Sequence, residues 1–330
     1  MKQPHFWYLP FQNTLRDKLL SPFSRLYSTA TARRLAKTQG YRMQMPVICV
    51  GNINVGGTGK TPTAIALIQH LQEMGRKPVL LSRGYGGTLE GPALIDPLKH
   101  SAQEAGDEPL LLAAFAPCIV SKDRAAGAKL AETMDADVLI LDDGFQNPAV
   151  AKDLSIVVVD ATLGFGNGRV LPAGPLREPL HVGLMRADLV LSIGSDNAQA
   201  QFGETWGHAL SVPRLTGALE VLQMGMDFDG LKCLAFAGIG HPEKFYATLR
   251  SQGAELVKTI SLADHQPLSD ALMKRLEIEA DALGAQLVTT EKDAVRLPNT
   301  FRQKVLTLPV RLKINEQDKL NQALKSVGID

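Results

Sequence analysis

The 330-residue chain carries almost no net charge, because 35 Lys and Arg against 34 Asp and Glu leave +1. A protein that binds nucleic acid over its whole surface needs a positive excess to displace counterions from phosphates, so that class is excluded. Cysteine is scarce. Cys49, Cys118 and Cys233 lie far apart and form no C-x-x-C or zinc-type pair, which leaves them as buried thiols in a reducing compartment. Long apolar runs are missing too: the longest, Leu110 to Val120, has eleven residues and contains Pro117, whereas a spanning helix needs about 20. Nor is there a signal-peptide h-region, since Pro10, Gln12, Asn13, Arg16 and Asp17 interrupt the first residues. With no repeat or low-complexity tract, and with 45% hydrophobic residues, the expectation is a cytoplasmic globular protein not integral to the membrane.

What is present is unevenly distributed. Residues 1–44 hold eight basic side chains (Lys2, Arg16, Lys18, Arg25, Arg33, Arg34, Lys37 and Arg42) and one acid, Asp17, so this segment is +7 and the remainder −6. Phe6, Trp7, Tyr8, Phe11, Phe23 and Tyr27 place six of the 18 aromatics in its first 27 residues. Ser21-Pro22 reads as an N-cap followed by the first helical position, after which Phe23, Leu26, Tyr27 and Ala30 recur at three- and four-residue intervals. A basic amphipathic helix of this kind suits an anionic membrane surface, or packs its apolar stripe on its own domain.

From residue 46 the chain alternates β-branched runs with helical stretches, the pattern of a parallel sheet with crossover helices. Strands are predicted at Val47–Gly51, Pro78–Arg83, Cys118–Ser121, Val138–Asp142, Ser155–Asp160 and Leu189–Ile193, with helices beginning at Lys60, near Glu108 and near Asp123. This reads as a doubly wound α/β domain over 45–215. A linker at 216–230 and a smaller α/β lobe at 231–330 follow, although one domain with a long insertion gives much the same pattern.

The segment Pro46 to Pro62 runs from an apolar strand through NINVGGTGKT into an amphipathic helix. Glycines let backbone N–H groups turn inward around phosphate oxygens, and the helix N-terminus adds positive potential. The loop Asn54, Val55, Gly56, Gly57, Thr58, Gly59 is thus a nucleoside triphosphate cradle of the P-loop NTPase type. Lys60 neutralises the β- and γ-phosphates, and Thr61 offers its hydroxyl to Mg²⁺. The strict pattern has glycine where this chain has Asn54, but Asn also tolerates left-handed backbone. The strand Ala136–Asp143 ends in Asp142 and Asp143, as expected of the carboxylates linked to Mg²⁺ beside such a loop. Spacing does not rank the two. A guanine-reading motif is absent, since Thr290-Glu291-Lys292-Asp293 has Lys and Asp adjacent. Val55 stands where switch ATPases with a variant loop carry a second Lys.

The series GNINVGGTGKTP, SRGYGG (82–87), GDEP (106–109), DDGFQN (142–147), LPAGPLREP (171–179), AGIGHPEKFY (237–246), ADHQPL (263–268) and TTEKDAVRL (289–297) resembles the motifs of the tetraacyldisaccharide 4′-kinases of lipid A biosynthesis, in order over about 250 residues. The resemblance implies transfer of phosphate from ATP, with Mg²⁺, to the 4′-hydroxyl of a tetraacylated glucosamine disaccharide 1-phosphate at the inner face of the cytoplasmic membrane. The implied partners are that lipid and the anionic membrane surface, with no nucleic acid and no obligate protein. It also implies Asp107 as the base and His265 as the residue that orients or tunes it. From local pattern alone, Asp107 equally suits a helix N-cap and His265 a solvated loop. Arg83, Tyr85, Arg177 and Glu178 lie in glycine- and proline-rich loops expected to rim the site and touch the acceptor. Asn147 departs from the DDGFQH form, so no imidazole acts there. His241 before Pro242 reads as a helix-start residue. A second reading from another class is a nucleotide-gated carrier or switch without a small acceptor.

Overall fold

The computed structural model describes residues 4–9, 15–36, 40–222, 225, 227–264 and 266–330. The first eight strands are β1 (Val47–Gly51), β2 (Pro78–Ser82), β3 (Ala93–Leu94), β4 (Cys118–Val120), β5 (Val138–Asp142), β6 (Leu154–Asp160), β7 (Leu189–Ile193) and β8 (Arg214–Val221). They are followed by β9 (Lys232–Ala237), β10 (Glu255–Ser261), β11 (Gln286–Thr290), β12 (Val305–Leu308) and β13 (Val310–Ile314). Among the described residues these form a nine-stranded sheet in the order β13-β8-β7-β6-β1-β5-β2-β4-β3 and a four-stranded sheet in the order β10-β9-β11-β12. The four-stranded sheet is parallel throughout, and the larger one is parallel except where β13 joins β8 and β3 joins β4.

The central strands are apolar without interruption because helices cover both of their faces. Ile48 and Val50 of β1 pack on one face with Ile65, Ile68 and Leu71 of the helix Lys60–Glu73. Val47 and Cys49 pack on the other with Leu139, Phe145 and Val157. All three cysteines are buried and free. Burial pushes the Cys49 thiol up to about 12, which makes it a packing residue.

β1 lies between β5 and β6, where the strand order reverses direction. That is the switch point at which open parallel sheets form a crevice beyond the carboxyl ends of their strands. The register sets Val50 of β1 opposite Asp142 of β5, so the loop leaving β1 and the acids ending β5 emerge side by side.

Two expected boundaries change. Arg214–Val221 is a strand of the larger sheet and not the start of a linker, and after the smaller sheet the chain returns to pair β13 antiparallel with β8. The final helix, Gln317–Ser326, buries Leu320 and Leu324 in the core beneath β1 and β5. The smaller sheet is therefore an insertion, and residues 310–330 belong with the larger one. β8, RLTGALEV, mixes polar and apolar residues and is only partly buried, so it lacks the hydrophobic signal of its neighbours.

The first long helix spans Leu15–Ala36 and contains Pro22, so Ser21 is not its N-cap. Pro22 lacks the N–H that would pair with the Lys18 carbonyl one turn earlier, and both residues are exposed. The helix rests on the body through its small polar face. Ser24 Oγ donates to Val170 O at 2.8 Å, and Thr31 is buried. Leu19, Phe23 and Leu26 point away and are 64%, 61% and 70% exposed. Lys2, Phe11 and Lys37 lie outside the described residues. No helix among the described residues is long and apolar enough to cross a membrane.

Candidate functional site

The glycine loop closes differently from the sequence expectation. Gly56 and Gly59 take φ of 101° and 98°, while Asn54 is not left-handed. Asn54 instead turns inward: its side chain is buried and donates to Gly164 O at 3.0 Å. Its backbone bridges Leu176, and Val55 N–H donates to Pro175 O at 2.8 Å. Residues 54 and 55 are thus fastened to the LPAGPLREP loop, and the part left to face a phosphate is Gly56–Thr61. Asn52 braces that part by donating to Gly56 O at 3.2 Å and to Thr58 Oγ1 at 3.1 Å. Lys60 and Thr61 open the helix, where backbone N–H groups have no intrahelical partner.

The two acids at the end of β5 have different environments. Asp142 is 2% exposed, and its Oδ2 accepts from Ser82 Oγ at 3.2 Å. Its Oδ1 is buried and has no hydrogen-bond partner among the described residues. Burial raises its carboxyl to about 7, and the charges of Glu108 and Asp143 add to the effect. Asp143, at φ 51°, turns toward the loop. Its Oδ1 lies 3.7 Å from Lys60 Nζ and 3.2 Å from Arg177 Nη1. Burial alone would raise Asp143, but the charges of Lys60, Arg177 and Arg124 outweigh it and hold the carboxyl below its ordinary value. Arg124 is itself buried and ties β2 to β5 by donating to Leu81 O at 2.7 Å and Asp142 O at 3.0 Å.

The fit to a magnesium ion follows from this donor set. A partnerless buried carboxylate oxygen on Asp142, next to the strand bearing the phosphate loop, has the chemistry of a hard oxygen donor and fits such a cation. Among the described residues no cluster of three or more His, Cys, Asp or Glu forms a cage. Mg²⁺ takes one or two protein carboxylates and completes its shell with phosphate and water, so a single such oxygen beside the loop is enough to fit it.

These groups open into a cavity of about 330 Å³ lined by Val55, Ser82, Arg83, Tyr85, Glu108, Arg124, Asp142, Asp143, Gln146 and Arg177. Asn147 and Pro148, with Tyr27 and Arg34 of the Leu15–Ala36 helix, complete its wall. Arg83, Tyr85 and Arg177 are thus among the residues that wall the cavity. Glu178 is not. It is 1% exposed, and its carboxylate is engaged by Arg186 Nη2 at 2.5 and 2.6 Å and by Gln146 Nε2 at 3.0 Å. A carboxylate so buried and paired holds the loop in shape and does not face the cavity.

Asp107 is the first residue of the short helix Asp107–Leu112, with Gly106 as its N-cap. It is buried, and its Oδ1 accepts the Glu108 N–H at 3.1 Å. His265 lies outside the described residues. The TTEKDAVRL segment of the smaller lobe reaches this place. Lys292 Nζ donates to Glu108 Oε1 at 2.9 Å, and Arg296 Nε stands 3.8 Å from Asp107 Oδ2. Burial works against the charge on Lys292, but Glu108 and Asp107 outweigh it and raise the ammonium. Sequence reasoning assigned no role to Glu108, Gln146, Lys292 or Arg296. Their one signal was membership of the motif strings. His241 caps the helix Pro242–Ser251, as its position before proline suggests.

A family model described as LpxK, tetraacyldisaccharide-1-P 4′-kinase, matches residues 16–328. The chain is 58% identical over 327 residues to the tetraacyldisaccharide 4′-kinase of Jannaschia sp. (strain CCS1), covering 99% of each. It is 57% identical over 330 residues to that of Dinoroseobacter shibae, covering 99% of this chain and 98% of the relative. Among solved structures it is similar to the "apo" form of LpxK from Aquifex aeolicus in complex with ATP, with a TM-score of 0.76 at 28% identity, over 95% of this chain and 99% of the other.

Proposed function

The chain belongs to the tetraacyldisaccharide-1-P 4′-kinase family, and from that premise we propose how its own residues divide the work. It is an ATP-dependent kinase that phosphorylates the 4′-hydroxyl of a tetraacylated glucosamine disaccharide 1-phosphate, using ATP and Mg²⁺. The nucleotide-gated switch is not favoured, since it gives no role to a lipid-sugar acceptor.

Gly56–Thr61 cradle the triphosphate and Lys60 neutralises it. Thr61 and Asp142 would hold Mg²⁺, and Asp142 is the better ligand than Asp143 because its Oδ1 has no hydrogen-bond partner among the described residues while Asp143 faces two cations. The metal supplies charge neutralisation for the phosphate oxygens. Asp107 accepts the proton of the 4′-hydroxyl as its oxygen attacks the γ-phosphorus, and ADP leaves. His265 orients that carboxylate. Arg83, Tyr85 and Arg177 border the acceptor, with guanidinium groups suited to phosphate and an aromatic ring suited to a sugar face.

The helix Leu15–Ala36 lies on the anionic inner membrane surface as a peripheral anchor. What supports this is its exposed Leu19, Phe23 and Leu26 together with exposed Arg25, Arg33 and Arg34, and the fact that Tyr27 and Arg34 of the same helix line the cavity. A lipid acceptor thus reaches the site without leaving the bilayer. The observation that carries the whole reading is the shared cavity: the acids of β5 beside the phosphate loop, walled by the membrane-facing helix. Incubation with γ-labelled ATP and tetraacyldisaccharide 1-phosphate in mixed micelles tests it. Label should appear on the lipid in excess of free phosphate, whereas phosphate release without labelled lipid would refute it.

A further inference from the structure

Asp107 is held from outside its own lobe. Arg296 belongs to the inserted smaller lobe, and its side chain is 8% exposed. Its Nη1 donates to Gln266 O at 3.1 Å, and its Nη2 donates to Gly238 O at 3.3 Å and pairs with Asp293. Asp293 is fully buried and also accepts from Gly238 N–H at 3.0 Å and Thr290 Oγ1 at 2.6 Å. One guanidinium therefore joins the turn after β9, the turn after β10 and the helix after β11, and its buried Nε, which makes no hydrogen bond among the described residues, stands in ion-pair range of Asp107 Oδ2 at 3.8 Å. One helical turn earlier, Lys292 engages Glu108, the neighbour of Asp107. The adjacent acids are thus met by two cations from a single segment of the other lobe.

A guanidinium is planar and always charged, with donors in a fixed fork, so a group bonded at three corners has little freedom at the fourth. We propose that Arg296 is a positioning residue for phosphoryl transfer: it fixes the Asp107 carboxylate relative to the smaller lobe, so that the proton acceptor is set only when that lobe is docked. The proposal rests on the reading of Asp107 as the base.

The test compares four proteins by lipid phosphorylation kinetics, nucleotide binding and thermal midpoint: Arg296→Gln combined with Asp293→Asn, which removes both charges of the buried pair; Arg296→Lys; Asp107→Asn; and the triple variant. The charge-neutral pair should lower kcat about 100-fold, the size of effect expected from misplacing a reacting group by about 1 Å. ATP affinity should stay within about twofold, because the phosphate loop is untouched. Arg296→Lys, which keeps the charge without the fork, covers the case in which the pair variant does not fold, and should lose about tenfold in kcat. In the Asp107→Asn background the pair variant should add no further loss, since it acts through Asp107, whereas a purely structural role would multiply the two losses. Wild-type kcat in either Arg296 variant, or multiplied losses, overturns the inference while leaving the base reading intact. Wild-type kcat in Asp107→Asn overturns the base reading and the inference with it.

Discussion

Lys60 Nζ stands 3.7 Å from Asp143 Oδ1, which joins the phosphate loop to the end of β5 across the switch point of the sheet. The pair is possible because Asp143 adopts a left-handed backbone that turns its side chain toward the loop instead of continuing the strand alternation. Asp142, one residue earlier, is left buried behind it, and the two acids acquire opposite electrostatic character.

Lys60→Ala removes the cation that faces Asp143 and that is proposed to neutralise the nucleotide phosphates. ATP affinity should fall by at least about tenfold, since a charge-assisted contact contributes roughly 1.5–3 kcal/mol. Equilibrium binding of a fluorescent ATP analogue measures this, and an unchanged dissociation constant would remove Lys60 from the site.

Asp142 makes stability depend on pH in a definite direction. Its carboxyl titrates near 7 in the folded chain and at the model-peptide value of 3.8 when unfolded. Ionising it therefore opposes folding: the stabilising effect of its proton is complete below about pH 4 and is lost as pH rises to about 7. Asp142→Asn should raise the thermal midpoint at pH 8 relative to wild type, and the gain should vanish toward pH 4, while lipid phosphorylation is lost. A gain independent of pH would contradict the assignment.

Glu178 separates a structural carboxylate from a ligand-binding one. Glu178→Ala removes the acceptor of Arg186 Nη2 and one of the two acceptors of Gln146 Nε2 and should cost about 3 kcal/mol of folding stability, as expected when one member of a buried pair is removed. Calorimetry would register a drop of several degrees. A raised KM for the lipid with an unshifted midpoint would return Glu178 to the rim.

The exposed stripe of the first helix gives a prediction in which stability and membrane binding part company. Replacing Leu19, Phe23 and Leu26 with Ser should leave the thermal midpoint unchanged, because none of the three is buried in the fold. Vesicle partitioning should fall at least about 100-fold, since each apolar side chain contributes roughly 1.5–3 kcal/mol when removed from water. Flotation with anionic vesicles reads the difference, and equal partitioning would reject the membrane assignment.

The legible parts of this chain were those written in local pattern. β1 and β5 are apolar up to their last residue, and Lys60 sits where a strand gives way to a helix, so strand, loop and acids could be placed directly. β13 could not, since its partner β8 lies about 90 residues earlier and neither strand has a strong hydrophobic signal. Asn54 was assigned a backbone role because its position suggested a missing glycine. The hydrogen bond to Gly164 O spans 110 residues, and nothing local announces it. Arg296 and Glu108 were visible only as letters within motifs, because their meaning lies in contacts between the lobes.

The account depends most on Asp107 as proton acceptor beside a nucleotide held by Lys60, and single-turnover phosphorylation of tetraacyldisaccharide 1-phosphate by Asp107→Asn tests it directly. With ATP binding shown to be intact, the transfer rate should fall by about 10²–10⁴-fold, the contribution of a positioned general base. A transfer rate within threefold of wild type would contradict the account.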